Sequence, residues 1–146
     1  QTGLLLENID AHLYGGAVDK IVLLLGTNDI GKDVPVNEAL NNLEAIIQSI
    51  ARDYPLTEIK LLSILPVNEG EEYKQTVYIR TNEKIQEWNQ AYQELASAYM
   101  QVEFVPVFDC LTDQAGQLKK DYTTDGLHLS VAGYQVLSKA LKNYLF

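Results

Sequence analysis

Two short runs of unbroken hydrocarbon, "KIVLLL" (Lys20 to Leu25) and "IKLLSIL" (Ile59 to Leu65), constrain this chain more than any other feature. Strands buried on both faces read as continuous apolar runs, whereas half-exposed strands alternate with period two. Between the runs lies a long amphipathic stretch. Val36, Leu40, Leu43, Ile47 and Ile50 keep a three-four spacing from Val36 to Tyr54, and Pro55 ends it. A second such stretch, Asn82 to Tyr99, carries Ile85, Trp88, Tyr92, Leu95 and Tyr99 in step and leads to a third strand, Val102 to Phe108. Helices of this length between short apolar strands imply crossover connections and a parallel sheet. The fold class is therefore α/β, with helical layers on a parallel sheet.

The remaining segments fit around that frame. Gly3 to Leu13 reads as a helix with Leu6, Ile9 and Leu13 on one face, stopped by Gly15-Gly16. Asn68 to Tyr78 reads as a polar, acidic loop, and Asp109 to Asp125 as an irregular connection. Val131 to Leu145 reads as a last helix with Ser130 as its N-cap. Gly133 in its first turn implies close packing against a neighbour. Without repeats or a linker, residues 1–146 are expected to form a single domain. The most apolar strand, Lys20 to Leu25, should be central, yet three strands in simple succession place it at an edge. An open apolar edge invites association. It implies either more chain before Gln1 or a partner, a second copy included.

Composition narrows the functions. Acidic residues outnumber basic ones, 20 to 11, for a net charge of -9. That balance argues against a nucleic-acid binder, whose affinity rests on Lys and Arg. No apolar run is long enough to span a membrane. The lone cysteine, Cys110, excludes an internal disulfide framework and suits a reducing, cytoplasmic setting. Cys110 ends the third strand and reads as an inert small hydrophobe. His12 reads as an exposed helix residue. No His-x-x-x-His or cysteine pair supports a metal, and no Gly-rich loop joins a strand to a helix, so no cofactor is expected.

Two polar segments remain. "GTND" (Gly26, Thr27, Asn28, Asp29) follows the first strand at its carboxyl end, where open parallel sheets bind ligands. Gly26 permits a sharp turn or a close approach, and Asn28 offers a neutral amide donor suited to an oxyanion. Read alone, the segment is better read as a turn. In "TTDGLHLSVAGY" (Thr123 to Tyr134), Asp125 and His128 stand three apart, a spacing that lets a carboxylate reach an imidazole and fix its tautomer. Read alone, that segment is better read as a local cap, with Asp125 binding backbone amides and His128 exposed. Together an oxyanion donor and an Asp-His base are two parts of an acyl-transfer site.

"GTND" after an apolar strand, with "DGLHLS" before the last helix, resembles the SGNH/GDSL family of serine esterases and acylhydrolases. It is most similar to the branch of bacterial lysophospholipase-like and platelet-activating-factor-acetylhydrolase-like enzymes. The resemblance implies a three-layer α/β/α fold and hydrolysis of a small-molecule or lipid carboxylic ester through an acyl-serine. It implies Asn28 as an oxyanion-hole residue, Asp125 and His128 as triad acid and base, and no cofactor. It also implies a nucleophile in a Gly-Asp-Ser motif after an earlier strand. Neither that motif nor the family's glycine block occurs here, so the chain is expected to be inactive alone. Ser49 and Ser97 sit on helix faces, Ser63 inside a strand, Ser130 at a cap and Ser138 in the last helix. A non-catalytic module assembling through the open edge, as a homo-oligomer, is the alternative. A flavodoxin-like metal or nucleotide domain would leave Asp125 and His128 without a role.

Overall fold

The computed structural model describes residues 20–145. The helix expected over residues 3–13, and His12 with it, lies outside the described residues. The elements run β1 (Lys20–Leu23), a short α1 (Thr27–Gly31), α2 (Val36–Asp53), β2 (Glu58–Leu62), α3 (Lys74–Val77), α4 (Asn82–Ser97), β3 (Val102–Val105) and α5 (Val131–Leu145). Single 3-10 turns occupy Glu71–Tyr73, Asp109–Leu111 and Lys120–Tyr122.

The described strands form one parallel sheet in the order β1-β2-β3. Leu23 pairs with Leu61, and Leu61 with Phe104, so side chains of one parity share a face. On that face Ile21, Leu23, Ile59 and Leu61 pack with Leu43, Ile46, Ile47 and Ile50 of α2 and with Ile85, Trp88, Tyr92 and Ala96 of α4. A smaller core on the other face joins Leu62, Val105 and Val107 to Leu137 of α5. The architecture is thus helices on both sides of a parallel sheet. Lys60 interrupts the second apolar run on the α5 face, where its ammonium is held by Glu103 across the ladder and by Glu58 at 3.7 Å. The hydrogen bond to Glu103 outweighs burial and raises its pKa.

Several boundaries differ from the sequence reading, for physical reasons. The strand ladders stop at Leu23, Leu62 and Val105, although burial continues through Leu25, Ile64 and Val107. Apolar runs report burial, and here burial outlasts pairing. Cys110 accordingly stands beyond β3, exposed in a 3-10 turn, with its thiol donating to the Val107 carbonyl at 3.0 Å. Its partial burial raises the thiol pKa, which opposes a thiolate nucleophile. The expected acidic loop contains the Glu71–Tyr73 turn and α3. The "TND" residues are helical rather than a plain turn: Ile30 N–H donates to Gly26 O at 3.0 Å. At α5, Ser130 Oγ accepts from Gly133 N at 3.2 Å, closing the cap. A Cβ on Gly133 would stand 2.5 Å from the Tyr122 carbonyl oxygen, so the backbone passes there too closely for a side chain.

Candidate active site

Three segments at the carboxyl ends of the strands enclose a cavity of about 380 Å³. The exit of β1 supplies Leu24 through Asn28, the exit of β2 supplies Leu65 and Pro66, and the loop before α5 supplies Leu127, His128 and Leu129, with Tyr134 from α5 itself. Asn28 and His128, far apart in sequence, therefore face one space. Most of the remaining wall is hydrocarbon.

Asn28 is carried by α1, and its position is fixed from below and from the side. Gly26 has φ +122°, and a Cβ on it would lie 2.6 Å from the Tyr92 hydroxyl. That hydroxyl, fully buried in α4, donates to the Leu25 carbonyl at 3.3 Å. Burial, reinforced by the nearby Asp29 charge, pushes the phenol's pKa above its ordinary value, so Tyr92 stays neutral. From the side, Arg80 Nε donates to Thr27 O at 3.0 Å while Nη1 donates to Thr76 O and Val77 O at 3.1 and 3.2 Å. The guanidinium thus ties α1 to the end of α3. Thr27 and Asn28 line the cavity. Asp29 does not: it is buried at 6 % exposure, and its Oδ2 has no hydrogen-bond partner among the described residues.

His128 lines the same cavity, with its ring largely exposed. Its Nδ1 is 2.7 Å from Asp125 Oδ2. A carboxylate only accepts, so Nδ1 carries the proton and Nε2 is left as the basic nitrogen. Asp125 Oδ1 also accepts from Leu127 N at 2.9 Å and His128 N at 2.7 Å. Partial burial pushes the Asp125 carboxyl up, but the bonds from the imidazole and the two amides outweigh it and hold the pKa at about 2. Asp125 therefore remains an acceptor at any neutral pH. This segment is both the local cap and the Asp-His pair that the sequence offered as alternatives, because separate oxygens serve the two tasks.

Other residues brace the site without having announced themselves. Asn89 Oδ1 accepts from Ile64 N at 2.6 Å and its Nδ2 donates to Ile64 O at 3.2 Å. Asn82 does the same to Val67 at 2.9 and 2.7 Å. Each carboxamide stands in for a neighbouring strand just where the β2 ladder has ended, and together they fix Leu65 and Pro66 in the cavity wall. Asn68 N then donates to Gly126 O at 2.8 Å, joining that wall to the Asp125 loop. Asparagines recurring on the apolar face of a helix, in step with Ile85, Trp88 and Tyr92, were the sequence signal for this brace. No comparable signal marked Arg80.

None of Ser49, Ser63, Ser97, Ser130 or Ser138 lines the cavity. Ser63 Oγ accepts from Val107 N at 3.0 Å, and Ser130 Oγ donates to Asp121 O at 2.9 Å. Among the described residues, no three His, Cys, Asp or Glu side chains gather closely enough to hold a metal ion, and no helix is long and apolar enough to cross a membrane.

Comparison with known proteins adds four findings. The model of the GDSL-like lipase/acylhydrolase family matches residues 2–136. A solved structure from Streptococcus pneumoniae, provisionally named a platelet activating factor, is 90% identical with a TM-score of 0.95; the match covers 100% of this chain and 68% of that one. A provisionally assigned acylhydrolase from Bacteroides fragilis (17% identity, TM-score 0.78, 99% of this chain and 69% of that one) and a lipase/acylhydrolase from Enterococcus faecalis (21%, 0.75, 99% and 70%) share the fold. A search of curated proteins finds no match.

Proposed function

Because the chain belongs to the GDSL-like lipase/acylhydrolase family, we propose that its single domain, residues 1–146, carries the oxyanion and acid-base half of an esterase site. The reaction is hydrolysis of a carboxylic ester through an acyl-serine. His128 Nε2 takes the serine proton as Oγ attacks the carbonyl carbon, and Asp125 holds the ring while it carries charge. The carbonyl oxygen becomes an oxyanion, and Asn28 donates its side-chain N–H to it. His128 then returns the proton to the departing alkoxide. In the second half, water attacks the acyl-enzyme by the same route. The observation that carries this reading is the shared cavity of Asn28 and His128.

The hydrocarbon of Leu24, Leu65, Leu127 and Leu129 suits the acyl or lipid part of a small-molecule ester. Short acyl esters, acetyl esters and lysophospholipids all meet that description. The attacking serine is supplied by polypeptide outside these 146 residues. In support, none of the chain's own serines lines the cavity, and the Ser63 and Ser130 hydroxyls are engaged elsewhere. The test compares labelling by a fluorophosphonate probe of this chain and of a form extended at its N-terminus. The extended form is expected to label and the short form to stay unlabelled; a labelled serine in the short form refutes the assignment.

One observation favours a second reading, self-association through β1. Val22 and Leu24, on the α5 side of this edge of the described sheet, are 38% and 42% exposed. Light scattering of the purified chain decides: a dimer supports the reading, and a clean monomer removes it.

A further inference from the structure

Thr123 takes no part in the chemistry proposed above, yet it lies at the centre of the loop that performs it. It is 6% exposed. Its hydroxyl donates to the His128 carbonyl at 2.6 Å and accepts from Gly126 N–H at 2.9 Å. Backbone pairing of Thr123 with Leu129 closes the base of the same loop as an antiparallel bridge. Asp125 reaches the Leu127 and His128 amides through Oδ1, so the loop is gripped by two side chains at different backbone groups.

A hydroxyl can donate once and accept twice. Thr123 spends its donor on the carbonyl of the imidazole-bearing residue and one acceptor site on the amide directly after Asp125. Those two groups set where each partner of the pair stands. A β-branched side chain is also stiff at χ1, which suits an oxygen that must hold two bonds at once. We propose that Thr123 is a positioning residue whose hydroxyl sets the register in which His128 Nδ1 meets Asp125 Oδ2. Only its catalytic meaning rests on the esterase reading; the geometric assignment stands apart from it.

The experiment follows the Asp125 carboxyl by carbon NMR through an acid titration of the full 146-residue chain, and so needs no activity. In the unaltered chain Asp125 should titrate at about 2. Thr123→Val keeps the shape and removes both bonds. Its Asp125 is expected to move up toward the ordinary carboxylate value near 4. Thr123→Ser keeps the hydroxyl and should leave Asp125 at about 2. Ser63→Ala, which removes a buried hydroxyl bonded to Val107 N–H elsewhere in the fold, should lower the melting temperature without moving Asp125. A valine variant that folds with Asp125 still at about 2 overturns the proposal. So does a serine variant whose Asp125 moves as far as the valine variant's. Should the valine variant fail to fold, the serine variant decides alone: Asp125 held at about 2 supports the proposal, and Asp125 near 4 overturns it. Failure of the fluorophosphonate test would remove the esterase reading and leave this result untouched.

Discussion

Replacing Gly26 by alanine should be among the costliest single-methyl changes in this protein. Two effects add. At φ +122° an L side chain is strained, which costs about 1–3 kcal/mol. The new methyl would also lie 2.6 Å from the Tyr92 hydroxyl and 2.7 Å from Ile64 Cδ1. Both neighbours are fully buried and cannot swing into solvent. Overpacking of that kind costs about 1–3 kcal/mol more. The sum, about 2–6 kcal/mol, is a large share of the roughly 5–15 kcal/mol typical of a domain. Gly116 supplies the control. Its φ is +78°, but nothing lies within 4 Å of the added atom. Gly116→Ala should therefore cost only the backbone strain, about 1–2 kcal/mol. Urea unfolding measures both. With a slope of about 2 kcal/mol/M, the midpoint should fall by about 1–3 M for Gly26→Ala and by under about 1 M for Gly116→Ala. Equal losses would show that the space beneath Gly26 is not what reserves that position for glycine.

In the serine-containing enzyme, Asn28→Ala should lower kcat by about 10²–10³ with KM little changed; steady-state kinetics showing a change in KM alone would remove the oxyanion role. Asn89→Leu leaves Ile64 N–H and C=O buried without their partner, each worth about 1–3 kcal/mol, and should lower the urea midpoint accordingly. The Asp125 carboxyl, held at about 2 rather than 3.8, adds stability that is fully present above pH 3.8 and lost as pH falls toward 2. Because the side chain is one-third exposed, solvent screening reduces this to about 1 kcal/mol; acid unfolding of Asp125→Asn, lacking that step, measures it.

The layered fold was legible because buried parallel strands and amphipathic helices leave different periods in a sequence. Val131–Leu145 was bounded correctly by its cap, and Val36–Asp53 to within a residue by Pro55. The short helices were not legible. Thr27–Gly31 is composed of turn formers, and Lys74–Val77 is too brief to express a period. In the site, Asn28, Asp125 and His128 could be singled out because amide, carboxylate and imidazole are the groups that an acyl-transfer site of the kind proposed would use. Thr123, Arg80, Asn82 and Asn89 act on backbone groups of distant or folded-back segments. Their partners exist only once the chain has closed; the spacing of Asn82 and Asn89 on the apolar helix face hinted at buried amides, but nothing in the sequence named what they, Thr123 or Arg80 would hold. Asp29 shows the reverse case: it shares the motif with Asn28, yet its carboxylate turns inward and away from the cavity.

The bridge between Thr123 and Leu129 makes the segment bearing Asp125 and His128 a small closed loop, whereas Asn28 stands on α1, directly after the central sheet's β1. Such a loop opens as a unit, at lower cost than the sheet beneath it. Warming should therefore carry the imidazole and its carboxylate out together while the amide wall stays in place. Heat inactivation of the assembled enzyme would then begin, reversibly, at temperatures where circular dichroism still reports an intact helical layer.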